Sequence, residues 1–201
     1  MGIFTRKKKQ GSAESFKFVN EINLPLTSFG NNISKSDVVK IAIDRIASQC
    51  AKLKPRYIKK ANDKTVTEKS GKLSFILKHQ PNEVMTPYQF IYMVITTLLM
   101  NDNAFIYPMF DGSTGEIKAL YPLKPSIVEP IIDSGGSYYL KFSFDREESF
   151  TIPYENVIHI KRFYHTNQIF GGSSSKGDQE ALLKTIQINE NVLQGIDNAL
   201  K

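Results

Sequence analysis

Few residues in this 201-residue chain have the chemistry to act as ligands, nucleophiles or bases. Three histidines, His79, His159 and His165, and one cysteine, Cys50, cannot furnish the four-cysteine or two-cysteine, two-histidine set that a structural zinc ion takes. Cys50 falls on the apolar stripe of a helical pattern and acts there as a small apolar filler. His159 stands among Val157, Ile158 and Ile160 in a strand pattern, a structural setting, and His165 has no partner in sequence. Asp145, Glu147 and Glu148 are an acidic cluster able in principle to hold a metal or share acid–base work, but they fall in a turn between strands and suit solvent. The stretch 171–177 (GGSSSKG) lacks the GxxxxGK[ST] spacing that cradles phosphates, and no GxSxG, HExxH or DxDxDG pattern occurs. The expectation is a protein that is not an enzyme, with no catalytic residues, no cofactor and no metal.

Charge carries more information. Up to Lys78 the chain has 17 Lys and Arg against 6 Asp and Glu; from His79 onward it has 9 against 14. Within residues 52–78 the balance is 9 to 2, so this segment is the seat of the asymmetry. Lys54, Arg56, Lys59 and Lys60 are its candidate contact surface, either toward a polyanion or as charges that protect an edge strand. With one cysteine and no cationic–apolar leader, a reducing compartment fits.

The elements expected to position these groups are as follows. Residues 1–35 have many breakers and no sustained period, so they are expected to be a flexible basic arm. A helix follows, with Val39, Ala42, Ile43, Ile46, Ala47, Cys50 and Leu53 at three- and four-residue steps. Residues 54–60 are expected as a basic edge strand, and 73–77 as a short apolar turn that Pro81 closes. Thr86-Pro87-Tyr88-Gln89 is a capping box with proline at the first helical position, opening a helix that is apolar almost all round. Its apolar run of eleven residues rises about 16 Å, roughly half of what a bilayer needs, so it belongs in a core and no membrane partner is expected. Strand patterns then cover 104–110, 116–121, 127–132, 138–144, 149–152 and 157–161. Together these predict an α+β fold: an antiparallel meander sheet packed with two to three helices over residues 36–165, a Gly/Ser linker at 166–177, and a long C-terminal helix from 178.

That last helix has two faces to bury. Leu182, Ile186, Leu193 and Ile196 lie on a bulky stripe, while Ile188 and Val192 lie on a smaller one about 100° away. A third row, including Lys184, Gln187, Asn191 and Gln194, is polar and nearly uncharged. Two apolar flanks suit a helix wedged between neighbours, as copies in a ring would supply. No C-cap glycine follows Leu200, so the helix is expected to continue in a longer chain.

The order of several segments, 41–60 (IAIDRIASQCAKLKPRYIKK), 77–82 (LKHQPN), 85–90 (MTPYQF), 98–105 (LLMNDNAF), the hairpin 111–120 and 121–125 (YPLKP), resembles the portal proteins of tailed double-stranded-DNA bacteriophages. The likeness spans roughly residues 40–165. Two departures are Asp102, where the family usually has glycine, and 171–177, where it usually has a fuller Gly-x-Ser-Pro step. The resemblance implies a structural protein forming a homo-oligomeric ring, typically twelve-fold, at a capsid vertex of the virion, assembled in the host cytoplasm and in some cases encoded by a prophage. It implies double-stranded DNA passing through the channel, with terminase, capsid or scaffolding protein and a tail adaptor as partners. On that template 36–165 is wing-like and 178–201 the start of a stem-like helix. Leu182, Ile186, Ile188, Val192, Leu193 and Ile196 become candidate subunit-interface residues, and Lys184, Gln187, Asn191 and Gln194 candidates to face the channel. The rival reading is a non-enzymatic nucleic-acid or scaffold-binding domain acting through segment 52–78.

Overall fold

A computed structural model of the chain describes residues 17–18, 27–28, 37–61, 64–67, 71–145, 147–163, 169–171 and 176–200. In chain order these form β1 (Lys17–Phe18), β2 (Thr27–Ser28), α1 (Asp37–Cys50), β3 (Ile58–Ala61), β4 (Lys64–Thr67), α2 (Lys72–Lys78) and α3 (Pro87–Asn101). They continue as β5 (Asn103–Phe110), β6 (Ile117–Leu123), β7 (Ile127–Ile132), β8 (Tyr138–Phe144), β9 (Glu147–Pro153), β10 (Ile158–Lys161) and α4 (Lys176–Ala199). The α+β class and the antiparallel pairing agree with the sequence reading.

The meander is divided over two sheets. β5 and β6 form a hairpin, with Tyr107 opposite Tyr121, and β10 returns to pair with the other side of β5. β7, β8 and β9, with the short β1 and β2 on the outer side of β7, make the second sheet. The division follows from alternation along β5. Ala104 and Ile106 point to a cluster holding Ile76 of α2 and Phe90 and Val94 of α3. Phe105, between them, points the other way, into a cluster with Val128, Leu140, Phe142 and Ile152 of the second sheet. The hairpin sheet is therefore the middle of three layers, helices on one face and the second sheet on the other. A strand buried on both faces is apolar at successive positions, as Ala104, Phe105 and Ile106 are.

The capping box forms as the sequence reading has it: Thr86 Oγ1 accepts from the Gln89 backbone N–H, and the Gln89 side chain accepts from that of Thr86. Segment 81–82 covers the outer edge of β6. The Leu120 N–H donates to the Pro81 carbonyl at 2.7 Å, and Asn82 Nδ2 donates to the Leu120 carbonyl at 2.9 Å. This removes an exposed ladder edge and buries Pro81 and Asn82.

Four expectations need correction. Within the expected arm 1–35, two dipeptides pair with β7, Lys17 opposite Ile132 and Thr27 opposite Val128; the rest of the arm lies outside the described residues. Two-residue strands leave no period to detect. The basic strand of 54–60 begins only at Ile58 and pairs in its own hairpin with β4, because Pro55 has no N–H to give a ladder. Residues 72–78 close a seven-residue helix rather than a turn. On α1 the inward line is Val39, Ile43, Ala47 and Cys50, whereas Ala42, Ile46 and Leu53 are exposed.

Candidate functional site

Three features could carry function: a polar joint at the root of α4, a basic groove in the helical layer, and the faces of α4 itself.

The joint is centred on Asn103, which is 1% exposed. Its Oδ1 accepts from the Gly171 N–H at 2.7 Å, and its Nδ2 donates to the carbonyls of Gly171 (3.0 Å) and Asn101 (2.9 Å). Because a backbone N–H can only donate, the atom facing Gly171 N is the oxygen. His159 Nε2, 2.9 Å from that same oxygen, therefore carries its hydrogen, and Nδ1 accepts from the Tyr154 hydroxyl at 3.1 Å. Burial, with the nearby Lys161 charge in second place, lowers the His159 pKa to about 3, so the ring is neutral. Phe105 stacks on it at 4.2 Å between centroids. A neutral imidazole with both nitrogens engaged and a phenyl over its face is a structural group, as the sequence pattern implied.

Two backbone features tighten the joint. Asp102 ends α3 in the left-handed region, φ 55°, and its carbonyl accepts from the Arg162 N–H at 2.9 Å. Burial raises the Asp102 pKa, opposed by Arg162. Gly171 fits against these strands so closely that a Cβ would lie 2.5 Å from the Arg162 carbonyl oxygen and closer still to that of Asp102. Of the expected linker 166–177, the described residues Ile169–Gly171 are thus packed, with Phe170 3% exposed in the core, and α4 already begins at Lys176.

The groove, about 750 Å³, lies between the end of α1, α2 and the first turn of α3. Leu53, Pro55, Leu77 and Tyr88 supply its apolar lining, and Lys52, Lys54, Arg56 and Lys78 its charge. The basic candidates Lys54 and Arg56 are thereby brought together; Lys59 and Lys60 lie on β3, their side chains outside the described residues.

α4 runs 24 residues, about 36 Å. Ile188, Val192, Leu193 and Ile196 are each 52–58% exposed, and Ile186 is half-buried. At ~100° per residue these five span an arc of about 160°, broken by the exposed polar side chains of Thr185 and Asn189, so the two stripes merge into one broad, mainly apolar face. Lys184, Gln187, Asn191 and Gln194, all exposed, centre on the opposite side. Leu182 lies in the helix, its side chain outside the described residues. Among the described residues, no group of His, Cys, Asp and Glu is arranged to hold a metal, and no helix is long and apolar enough to cross a membrane.

Residues 37–201 match the family described as phage portal protein. The chain belongs to the phage portal protein family.

Solved structures agree at the level of fold. A chain from the neck of an empty gene transfer agent (GTA) particle, computed with C6 symmetry, superposes with a TM-score of 0.66 at 16% identity, covering 84% of this portal-family chain and 44% of that one. A chain from the virion of a native gene transfer agent particle gives 0.60 at 16% identity, covering 87% and 42%. A chain from the neck of a native GTA particle, computed with C12 symmetry, gives 0.60 at 14% identity, covering 88% and 46%. The chain thus spans less than half the length of the structures it matches. No curated protein sequence matches it.

The portal-like motifs now have physical roles. QPN caps the β6 edge, TPYQ opens α3, and NDNA turns α3 into β5 while presenting Asn103 to Gly171. The joint itself was not visible in sequence, since Asn103 meets partners 56 and 68 residues away.

Proposed function

We propose that this chain is the wing and the start of the stem helix of a portal subunit, a structural protein whose copies close into a ring at a capsid vertex. The observation that carries this reading is α4. It presents a mainly apolar arc about 160° wide that nothing among the described residues covers, opposite a polar, nearly uncharged row. Neighbouring copies of α4 would bury that arc, through Ile186, Ile188, Val192, Leu193, Ile196 and Leu182, and leave Lys184, Gln187, Asn191 and Gln194 facing the channel. A lining with few cations holds phosphates weakly, which suits double-stranded DNA that must slide rather than stick. The C12 and C6 symmetries of the similar neck structures support a ring, with twelve copies as the expected number. The protein is expected to act without catalysis, at the virion portal vertex after assembly in the host cytoplasm, with terminase, capsid or scaffolding protein and tail adaptor as partners. A prophage origin is compatible with this role.

The test uses the full-length protein with Cys50→Ala and single cysteines at position 192 on one pool and 193 on another, mixed and oxidised in assembled rings. Disulfide-linked dimers across subunits are the expected product. Rings that form without any intersubunit crosslink would sink the helix-to-helix assignment.

A further inference from the structure

The two outer layers of the fold carry opposite charge. On the helical side, Lys52, Lys54, Arg56 and Lys78 surround the groove, and no carboxylate among the described residues lines it. On the far sheet, segment 145–155 holds Asp145, Glu147, Glu148 and Glu155 against a single Arg146. Asp145 and Glu148, at the turn between β8 and β9, are exposed, as is Glu155 beyond the other end of β9. β9 ends its sheet, so this turn lies at a rim. The hairpin sheet separates the two surfaces, helices packing on one face and the second sheet on the other. One molecule therefore cannot bring its own turn to its own groove.

We infer that the basic groove of one copy receives the acidic β8–β9 turn of the next copy. This rests on the ring reading above and names a second subunit contact, between wings rather than between α4 helices. A rotational ring joins two different patches of each subunit, head to tail, so each chain must carry both halves of the contact on separate faces. Opposite charge on opposite layers meets that requirement. An apolar lining of Leu53, Leu77 and Tyr88 set among cations has the composition of a protein–protein site, whereas a phosphate backbone calls for cations along a polar track. Reversing the charges on one side of such a contact sets like charges against each other, which is strongly unfavourable.

The experiment is a charge exchange in the full-length protein, reading the concentration midpoint of ring assembly by sedimentation and native mass. Lys54→Glu with Arg56→Glu, and separately Asp145→Lys with Glu148→Lys, are each expected to raise the midpoint about ten-fold or more at low salt, the shift shrinking at about 1 M salt. Combining all four is expected to restore most of the loss. Circular dichroism confirms that each variant folds. Rings indifferent to both reversals, or no recovery in the combined variant, overturn the wing contact and leave the ring reading standing. Loss of DNA binding on reversing the groove, with unchanged assembly, overturns it in favour of a polyanion. A wild-type protein that stays monomeric at every concentration overturns both.

Discussion

His159 and Asn103 share a hydrogen bond whose direction is fixed from outside the pair: the Gly171 N–H makes the near Asn103 atom an oxygen, so His159 must donate through Nε2 at 2.9 Å. The imidazole is neutral because it is buried, and its pKa falls to about 3 from an ordinary 6.5.

A pH dependence follows. Above pH 6.5 the ring is neutral in both folded and unfolded chains and contributes no slope. Below 6.5 the unfolded chain takes up a proton that the folded one refuses until about pH 3, so stability declines across that window. The slope approaches about 1.4 kcal/mol per pH unit for this one group. His159→Gln should lower stability at pH 7.5 yet flatten the fall between pH 6 and 4, measured by urea melts at each pH. An unchanged slope would show that carboxylates, not His159, govern acid unfolding.

Gly171→Ala places a methyl against the backbone of Asp102 and Arg162, where no flexible side chain can yield. The expected cost is about 1–3 kcal/mol, read as a lower Tm. Gly112→Ala is the control, since nothing lies within 4 Å of a Cβ at that turn. Equal melting of the two variants would contradict the close fit described at Gly171.

Asp102→Gly should act in the opposite direction. The residue holds φ 55°, costly for a residue with a Cβ, and burial disfavours its charge despite Arg162. Removing the side chain is expected to stabilise by about 1 kcal/mol at pH 7, and the gain should shrink toward pH 4, because a carboxyl whose pKa burial raises destabilises the fold only while it is ionised. Chemical denaturation at pH 7 and pH 4 measures both effects.

Ile196→Asp or Val192→Asp puts a carboxylate in the middle of the exposed apolar arc of α4. Because these side chains are more than half exposed in the single chain, the fold should lose under about 0.5 kcal/mol. Assembly of the full-length protein should fail, as read by native mass, since a charge in a subunit interface has no partner there. Gln187→Asp, on the opposite row, should assemble normally.

What the sequence disclosed was local. The Thr86–Gln89 capping box, the alternation of Tyr138, Leu140 and Phe142, and the periodicity of α4 each reside in a few consecutive residues, so they survive reading one residue at a time. What stayed hidden depends on distant pairing. Nothing near Asp145 or Val157 announces that β10 leaves the second sheet to join β5, because that choice is made by Asn103 through Ile106 on the opposing strand. β1 and β2 are too short to have a pattern, and the groove draws Leu53, Leu77 and Tyr88 from three elements. The charge asymmetry at 52–78 was plain, but its concentration on one side of a three-layer stack was not.

The Asn103 joint also fixes a mechanical path. The end of α3, the start of β5, the end of β10 and the residues that lead to α4 all meet within one hydrogen-bonded knot. A pull on α4 directed along the strands would reach the body there and load the β5–β10 ladder in shear. Shear strains all of its bonds at once instead of unzipping them in turn. A chain tied this way resists a pull most at the Asn103 joint.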